Sequence, residues 1–441
     1  MEYLGQVLFL LLLVVGFGFF IKNLKKLVRN IKLGRNIDRT DNSSARWKNM
    51  IRVALGQSKM VKRPIPAILH IFVYAGFVII NIEMLEIIVD GLFGTHRAFS
   101  FLGTAYNALI GIFEVLAFLV IFGVVVFWIR RNIIKLKRFN QPEMEGWAKR
   151  DANNIIYIET VLMCFFLIMN AADYYLQGIG YTHYTTVGAF PISGLISPIF
   201  DGVNPATVAF IERFCWWAHI AGVMVFMNYL YYSKHLHIFL AFPNTYFANL
   251  QPMGEFDNLE AVKKEVSLMM DPNADPYAAP AEPVGEPEKF GAQDVMDLNW
   301  VQLLNAYSCT ECGRCTSSCP QNITGKKLSP RKIMMSTRDR LEDVSKILDA
   351  NNGKFVDDGK TLLNDYITPE ELWACNTCNA CVEECPIDIS PLSIIMDMRR
   401  FLVMEQSAAP IELNNMMQNV ENNAAPWQYN QMDRLNWKDE N

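Results

Sequence analysis

The chain has 441 residues, which is enough for two or three domains of ordinary size. Its formal net charge of −5 gives no indication of a nucleic-acid partner, because proteins that bind nucleic acid usually carry a marked excess of basic residues. Apolar residues are concentrated before about residue 240 and are sparse after it. This uneven distribution predicts a membrane half followed by a soluble half.

Five apolar stretches occur in the first half, and a helix needs roughly 20 residues to cross a bilayer. They lie at about 3–21, 65–89, 103–129, 153–175 and 207–233. The sequence therefore predicts an all-α bundle of five transmembrane helices over residues 1–240.

Lys and Arg residues predict the orientation of this bundle. They are abundant after the first span and between the third and fourth spans, whereas one opposite loop carries Arg97 alone and the other has no Lys or Arg from 176 to 206. Basic loops remain in the cytoplasm, so we expect the amino terminus outside and the second half of the chain in the cytoplasm. No basic residue precedes the first span, which favours an anchor over a signal peptide. We expect a multi-pass protein of the cytoplasmic (inner) membrane in contact with the lipid bilayer.

Histidines within the spans are the first candidate ligands, because ionisable residues in hydrocarbon are costly and usually functional. His70 lies in the second span, and His219, His235 and His237 lie on the fifth. The spacing from His219 to His237 is five whole helical turns, which predicts that both face one way and that His235 faces away. Two neutral imidazoles at one depth suit haem b, and His70 is predicted to pair with His237 or His235. The alternative is that His235 and His237 are interfacial residues at a helix end.

Further polar residues are predicted near the outer face. This group comprises Asn81, Glu83, Glu86, Glu114, Asp173, Arg213 and His219. It contains no second histidine on the second span, so one haem is favoured over two. A quinone headgroup needs hydrogen-bond donors and a proton route, which His219, Glu83, Glu86 and Arg213 would provide. The alternative is that the acids simply edge the outer interface.

Residues 241–299 are predicted to form a linker. The segment 271–290 reads DPNADPYAAPAEPVGEPEKF and is rich in Ala, Pro and Glu, which predicts a tether or a draped surface segment. The pattern DLNWVQLLNAY then predicts a helix that leads into Cys309.

Eight of the ten cysteines lie in two runs of the form C-x2-C-x2-C-x3-C-P, CTECGRCTSSCP and CNTCNACVEECP. Cys164 and Cys215 lie singly in apolar segments, so no disulfide framework is predicted. A single C-x2-C pair occurs in zinc sites, but two complete runs match the ligand pattern of two-cluster bacterial ferredoxins, in which the fourth cysteine of each run ligates the other cluster. The first 4Fe-4S site is then Cys309, Cys312, Cys315 and Cys385. The second is Cys375, Cys378, Cys381 and Cys319.

The segment between the runs, SPRKIMMSTRDRLEDVSKILDA, predicts a helix with Ser329 as its N-cap and Pro330 at its first position. The cluster domain is placed at 300–405, as a mainly α dicluster ferredoxin-type (α-helical ferredoxin) fold. A tail at 406–441 follows, and its segment PWQYNQMDRLNW carries aromatic residues without a core, which predicts docking to a partner.

The motifs CTECGRCTSSCP with LSPRKIM, and WACNTCNACVEECPIDISPL with MRRFLVM, closely resemble the dicluster C-type subunit of heterodisulfide reductase. The five-span half, with His70 before YAGF and with SKHLHI on the last span, resembles the gamma subunit of respiratory nitrate reductase. The latter has two ligating histidines on its second span, whereas the chain has only His70. The fusion is similar to membrane iron-sulfur proteins that link an electron-transfer flavoprotein, or a related dehydrogenase, to menaquinone.

These resemblances imply a membrane-bound electron-transfer subunit, an oxidoreductase that needs a partner for substrate chemistry. Electrons would pass between an electron-transfer flavoprotein or a separate cysteine-rich subunit, two 4Fe-4S clusters, haem b and menaquinone. Two other interpretations remain open: a non-catalytic redox protein, such as an assembly factor or sensor, and a membrane anchor for a heterodisulfide or sulfur reductase.

Overall fold

The computed structural model describes residues 3–273 and 289–439. Over these ranges the chain forms seventeen α-helices joined by short 3-10 and π turns, and it contains no strand there. In chain order they are α1 (Leu4–Ile31), α2 (Ser43–Met50), α3 (Pro64–Phe93), α4 (Thr104–Asn132), α5 (Trp147–Gly178), α6 (Ser193–Ile196), α7 (Pro205–Tyr229), α8 (His237–Tyr246), α9 (Glu260–Met270), α10 (Trp300–Ser308), α11 (Arg314–Ser318), α12 (Pro320–Ile323), α13 (Pro330–Ala350), α14 (Pro369–Trp373), α15 (Ala380–Glu383), α16 (Pro391–Met404) and α17 (Ile411–Asn423).

The helices α1, α3, α4, α5 and α7 form a bundle. Within it α5 packs between α4 and α7, α3 packs on α4, and α1 lies against α3 and α7. All five, with α7 extended to Tyr232, are long and apolar enough to cross a membrane, so each predicted span corresponds to such a helix. Apolar side chains such as Leu11, Phe118 and Phe122 are exposed on the outside of the bundle. An apolar helical surface of this kind suits lipid, because a helix satisfies its own backbone polar groups.

The fifth span departs from the predicted straight helix. α7 ends at Tyr229, and two 3-10 turns follow, separated by the extended residue Ser233 with φ −114° and ψ 146°. α8 then begins at His237. The predicted five-turn relationship between His219 and His237 is therefore wrong, because helical periodicity does not continue through an extended residue.

The helices α10 to α16 form the cysteine-rich domain. α13 lies at its centre and packs against α10, α11 and α16, with Ile333 and Leu341 fully buried. Ser329 caps α13 by accepting a hydrogen bond from the N–H of Lys332, and Pro330 occupies the first helical position. Both features of this helix start agree with the prediction.

This domain packs directly on one end of the bundle. The N–H of Arg35, after α1, donates to the Leu298 carbonyl at 2.7 Å, and the N–H of Trp300 donates back to the Arg35 carbonyl at 3.1 Å. Gly34 permits the approach, because a Cβ atom there would lie 2.7 Å from the backbone of Asn299. We call this the domain end of the bundle, and the other the far end.

The linker predicted for 241–299 is shorter in the structure. α8 continues to Tyr246 and packs on α2 and α10, while Val295 and Leu298 are fully buried. The cysteine-rich domain thus begins near residue 290 rather than at 300, because these apolar residues complete its core. Most of the predicted tether at 271–290 lies outside the described residues.

The tail is largely exposed. α17 contains no buried residue, and the side chains of Ile411, Trp427, Met432 and Trp437 are exposed. The tail therefore adds apolar surface to the molecule without burying it in a core.

Candidate functional site

The two cysteine runs adopt the same backbone plan. In the first run Glu311 and Gly313 have left-handed φ angles of 54° and 70°, and in the second Thr377 and Asn379 have φ angles of 56° and 60° at the equivalent positions. Each left-handed residue reverses the local course of the chain between neighbouring cysteines. A short helix, α11 or α15, follows in each run. The repeat in the sequence is therefore also a repeat in the structure.

The cysteines of the first predicted set share one cavity. Cys309, Cys312 and Cys315 line it with Cys385 of the other run, and it also touches Cys381. Burial raises the pKa of Cys309 to about 11, and burial and the nearby Cys312 thiol also raise the pKa of Cys385. Crowded, buried thiols fit a positively charged iron-sulfur core that binds them as thiolates.

Cys319 lies with the cysteines of the second run. Burial raises the pKa of Cys381 to about 12, with further contributions from the neighbouring thiols of Cys375, Cys319 and Cys378. Cys378 is exposed, and Cys319 is buried. The fourth cysteine of each run thus lies beside the first three of the other run. Within the described ranges no three His, Cys, Asp or Glu side chains converge on a point suited to a single metal ion.

Arginines join the first cysteine set to the bundle. Arg314 directly follows Gly313, and its guanidinium donates to the Met60 carbonyl at 3.4 Å, just before α3. Arg331 is fully buried and donates to the Arg138 carbonyl at 2.6 Å and to the Glu143 carboxylate at 2.8 Å, both between α4 and α5. The first set therefore lies at the seam between the two halves.

His70 and His237 face each other at the domain end of the bundle. Their ring centres are 6.4 Å apart with the planes tilted by 43°. Two imidazoles on one metal ion each bond to it at about 2 Å. When the distance from each bonding nitrogen to its own ring centre is added, the two ring centres lie about 6 Å apart. His70 Nδ1 is buried without a hydrogen-bond partner among the described residues. The separation of the two rings is compatible with a metal ion held between them, and a haem iron would be such an ion.

The backbone orients the His237 ring. Its Nδ1 lies 3.1 Å from the Lys234 carbonyl and donates to it in the tautomer that leaves Nε2 free for a metal. Burial lowers the pKa of His237, so the imidazole is neutral, as an iron ligand must be.

His235 does not point away from this pair, contrary to prediction. Its ring centre lies 5.5 Å from that of His237, because the turn after Ser233 redirects the chain. Its Nε2 lies 3.4 Å from the Glu159 carboxylate of α5, a contact that no motif or spacing in the chain indicated. His235 Nε2 is thus in contact with a carboxylate. In His237 the backbone contact is made by Nδ1, and Nε2 lies on the other side of the ring.

His219 lies apart from the polar group predicted for it. Its Nδ1 lies 3.0 Å from the Leu162 carbonyl, and its ring packs 6.0 Å from Phe166. It does not line the polar cavity at the far end of the bundle. Its predicted association with Glu83, Glu86 and Arg213 is therefore wrong, because it faces α5 within the apolar core.

Arg97 is the centre of a polar network at the far end. Its guanidinium donates to Asp173 at 2.7 Å, to Asn170 at 2.8 Å and to Glu83 at 3.3 Å. All four side chains are buried. Buried charges are tolerated when they are paired in this way. The predicted site does not include Arg97. It is the only Lys or Arg in its loop, and this isolation indicates a specific role for its charge.

A small cavity of about 20 Å³, partly open to solvent, lies beside this network. Its polar lining comprises Glu83, Glu86, Asp90, Thr95, His96, Arg97, Asp173, Glu212 and Arg213. Glu83 Oε2 and His96 Nδ1 have no hydrogen-bond partner among the described residues. Three residues of the predicted group, Glu83, Glu86 and Arg213, line this cavity, whereas Asn81 and Glu114 do not. Glu83, Glu86 and Asp173 are buried, so they do not merely edge an interface.

These features define an iron-sulfur electron-transfer protein, and the 4Fe-4S dicluster domain family matches residues 308–389. Among curated proteins, the chain is 26% identical to the probable iron-sulfur-binding oxidoreductase FadF of Bacillus subtilis, over 99% of this chain and 61% of the relative. It is also 26% identical to the EtfAB:quinone oxidoreductase of Syntrophomonas wolfei, over 96% of this chain and 57% of the relative.

A shorter match covers the cluster domain. The C-type subunit of the ferredoxin/F(420)H(2)-dependent CoB-CoM heterodisulfide reductase of Methanosarcina acetivorans is 30% identical over 27% of this chain and 60% of its own length. The chain spans about three fifths of the length of the two longer relatives. No solved structure matches it significantly. The chain therefore contains a 4Fe-4S dicluster domain, and the two longer relatives are named as oxidoreductases.

Proposed function

We propose that the protein is a membrane-bound conduit that passes electrons between a cytoplasmic redox partner and the quinone pool. The observation that carries this proposal is the position of the first cysteine set, which lies at the seam and is linked to His237 through Lys234, a residue that contacts both Glu311 and His237. The five apolar helices and the basic loops at the domain end support an inner-membrane protein with the cysteine-rich domain in the cytoplasm.

In this proposal Cys309, Cys312, Cys315 and Cys385 hold one 4Fe-4S cluster. The second is held by Cys375, Cys378, Cys381 and Cys319. His70 and His237 hold one haem b, and His235 lies beside them. When bound, these groups supply one-electron transfer, and the protein supplies their spacing and electrostatic surroundings. The relative placement of the two cysteine sets supports the crossed arrangement, because Cys319 and Cys385 each lie with the opposite run.

The cavity at the far end is the proposed quinone site, with menaquinone as the expected substrate. Arg97 and Arg213 provide cations that bind carbonyl oxygens, and Glu83 and Glu86 provide carboxylates that exchange protons. The unpartnered Glu83 Oε2 and His96 Nδ1 give the cavity free polar atoms for a headgroup. His219 is not part of this proposed site, because it does not line the cavity.

The soluble partner is proposed to be an electron-transfer flavoprotein or a cysteine-rich subunit. The relative from Syntrophomonas wolfei is named as an EtfAB:quinone oxidoreductase, and the chain aligns with it over 96% of its own length. The exposed apolar side chains of the tail, such as Trp427 and Trp437, provide surface for such a partner.

The test uses the purified full chain in detergent with both clusters loaded. We expect a dithionite-reduced spectrum with a b-type band in addition to iron-sulfur absorption, and oxidation of that band when a menaquinone analogue is added. A protein with iron-sulfur absorption and no b-type band would contradict the conduit. A b-type band that the quinone analogue does not oxidise would refute the quinone assignment alone.

A further inference from the structure

A buried ion pair connects the first cysteine loop to the loop that carries His237. The Lys234 ammonium donates to the Glu311 carboxylate, and both side chains are almost fully buried. Glu311 lies between Cys309 and Cys312 in the first run. Lys234 is also the residue whose carbonyl accepts the hydrogen bond from His237 Nδ1 at 3.1 Å. One residue thus contacts both the cysteine loop and the predicted haem ligand.

Other bonds hold this pair in place. The Lys234 ammonium also donates to the Ala148 carbonyl at 2.6 Å, and the Lys234 N–H donates to Asp151 at 3.1 Å. Arg338 of α13 donates to the second oxygen of Glu311 at 2.5 Å. Both ends of the ion pair are therefore anchored, one in α5 and one in α13. Neither side chain of this buried pair can move into water. A displacement of the first cysteine loop is therefore passed to the loop that carries His237.

The second cysteine run contacts the bundle differently, through partly exposed pairs of Glu383 with Lys62 and of Glu384 with Arg63. Thr377 occupies the position equivalent to Glu311, with nearly the same left-handed φ angle. A non-glycine residue in that conformation is uncommon, and at Glu311 the side chain forms two buried ion pairs. In the second run, Cys378 is exposed on the surface instead. The two runs share a backbone plan but differ in what they contact.

We propose that Lys234 and Glu311 are positioning residues that couple the first cysteine loop to His237. As a result, the first cluster site exchanges electrons with the haem site, and the second, at the surface, receives or delivers them at the soluble partner. This inference rests on the proposed ligation of a haem by His237. It goes beyond the proposed function by assigning an order to the two cysteine sets and a role to two residues that bind neither group.

The test compares Lys234→Met and Glu311→Gln in the full-length, cluster-loaded protein. The oxidised haem and the oxidised first cluster are more positive than their reduced forms, and a neighbouring cation repels them. Loss of the Lys234 cation is therefore expected to lower the midpoint potentials of both. Loss of the Glu311 anion is expected to raise the midpoint of the first cluster. The midpoint of the second cluster is expected to stay unchanged in both variants. The EPR signature of the oxidised haem is expected to shift in Lys234→Met, because it depends on the orientation of His237.

Two controls separate coupling from a general loss of stability. Lys332→Met removes a Lys–Glu pair of the same domain, at 2.6 Å from Glu371, without contact to the seam, and is expected to leave the haem signals unchanged. Lys234→Arg retains the cation and is expected to restore the wild-type signals in part. If Lys234→Met fails to assemble, Glu311→Gln and Lys234→Arg carry the test.

The outcomes distinguish this inference from the proposed function. A wild-type protein without a b-type haem would refute the proposed function and this inference with it. A wild-type protein with haem, together with Lys234→Met and Glu311→Gln variants whose haem and first-cluster signals match those of Lys332→Met, would refute the inference alone. Equal shifts at both clusters would refute the assigned order.

Discussion

The rings of His70 and His237 face each other at 6.4 Å, although one lies on the second apolar helix and the other follows the break after the fifth. The break is what makes the contact possible. Ser233 interrupts the helix, and the two 3-10 turns beside it lead the chain back toward α3 before α8 begins.

His70→Ala and His237→Ala are each expected to abolish the b-type absorbance of the purified protein. Either change removes one of two axial bonds, and we expect haem content to fall at least about tenfold, as for other losses at a metal site. His235→Ala is expected to retain most of the absorbance, because His235 contacts Glu159. His219→Ala serves as the control. A haem lost in His219→Ala and kept in His237→Ala would contradict the assignment.

Cys319→Ser is expected to damage the cluster bound by Cys375, Cys378 and Cys381. Cys319 belongs to the first run in sequence but lies with the second set in space. The EPR signal of the other cluster should remain more nearly intact. Cys385→Ser is the matched variant and should show the converse. A Cys319→Ser protein that loses only the first cluster would disprove the crossing.

The sequence predicted local features better than it predicted how distant segments meet. The five apolar helices and the Ser329 cap depend on neighbouring residues, and the structure contains both. The placement of His235 and His237 relative to His219 depends on a single extended residue, Ser233, which hydropathy does not identify. The network around Arg97 joins α3, α5 and the loop between α3 and α4, so its members are adjacent only after folding.

Arg97→Gln is expected to destabilise the far end of the bundle. The change leaves the buried Asp173 and Glu83 carboxylates without their cation, and removal of one partner from a buried ion pair costs about 3–5 kcal/mol. We expect a lower thermal unfolding temperature in detergent and slower quinone turnover. Arg97→Gln combined with Asp173→Asn should recover part of the stability. His219→Ala should leave quinone turnover near the wild-type rate. Slower turnover in this variant would show that His219 belongs to the quinone site.

Glu143→Gln is expected to loosen the cysteine-rich domain from the bundle. Glu143 pairs with the fully buried Arg331 at 2.8 Å across the seam. Despite its burial, hydrogen bonds from Ser329 and Arg331 lower the pKa of Glu143. Because the folded-state pKa is below that of the unfolded chain, this stabilisation is present above about pH 4.3 and is lost as the pH falls through the folded-state value.

Hydrogen exchange of residues 309–319 measures this effect. Protection relative to the intrinsic exchange rate at each pH is expected to decrease in Glu143→Gln at neutral pH and in the wild type on acidification. Glu370→Gln is the control, because its pair with Lys327 lies on the surface and such pairs contribute little. Equal protection in wild type and Glu143→Gln would show that the pair does not hold the seam.

Deletion of residues 411–441 is expected to release a redox partner while leaving the clusters in place. The tail exposes Ile411, Trp427 and Trp437 and has no buried residue in α17, so its loss should cost the rest of the fold little. The iron content and the b-type band of the truncated protein should match those of the full chain. The partner should co-purify with the full chain and not with the truncated one. A Trp427→Ala and Trp437→Ala double variant tests whether the aromatic side chains carry the contact, and unchanged co-purification after the deletion would place the partner elsewhere on the cysteine-rich domain.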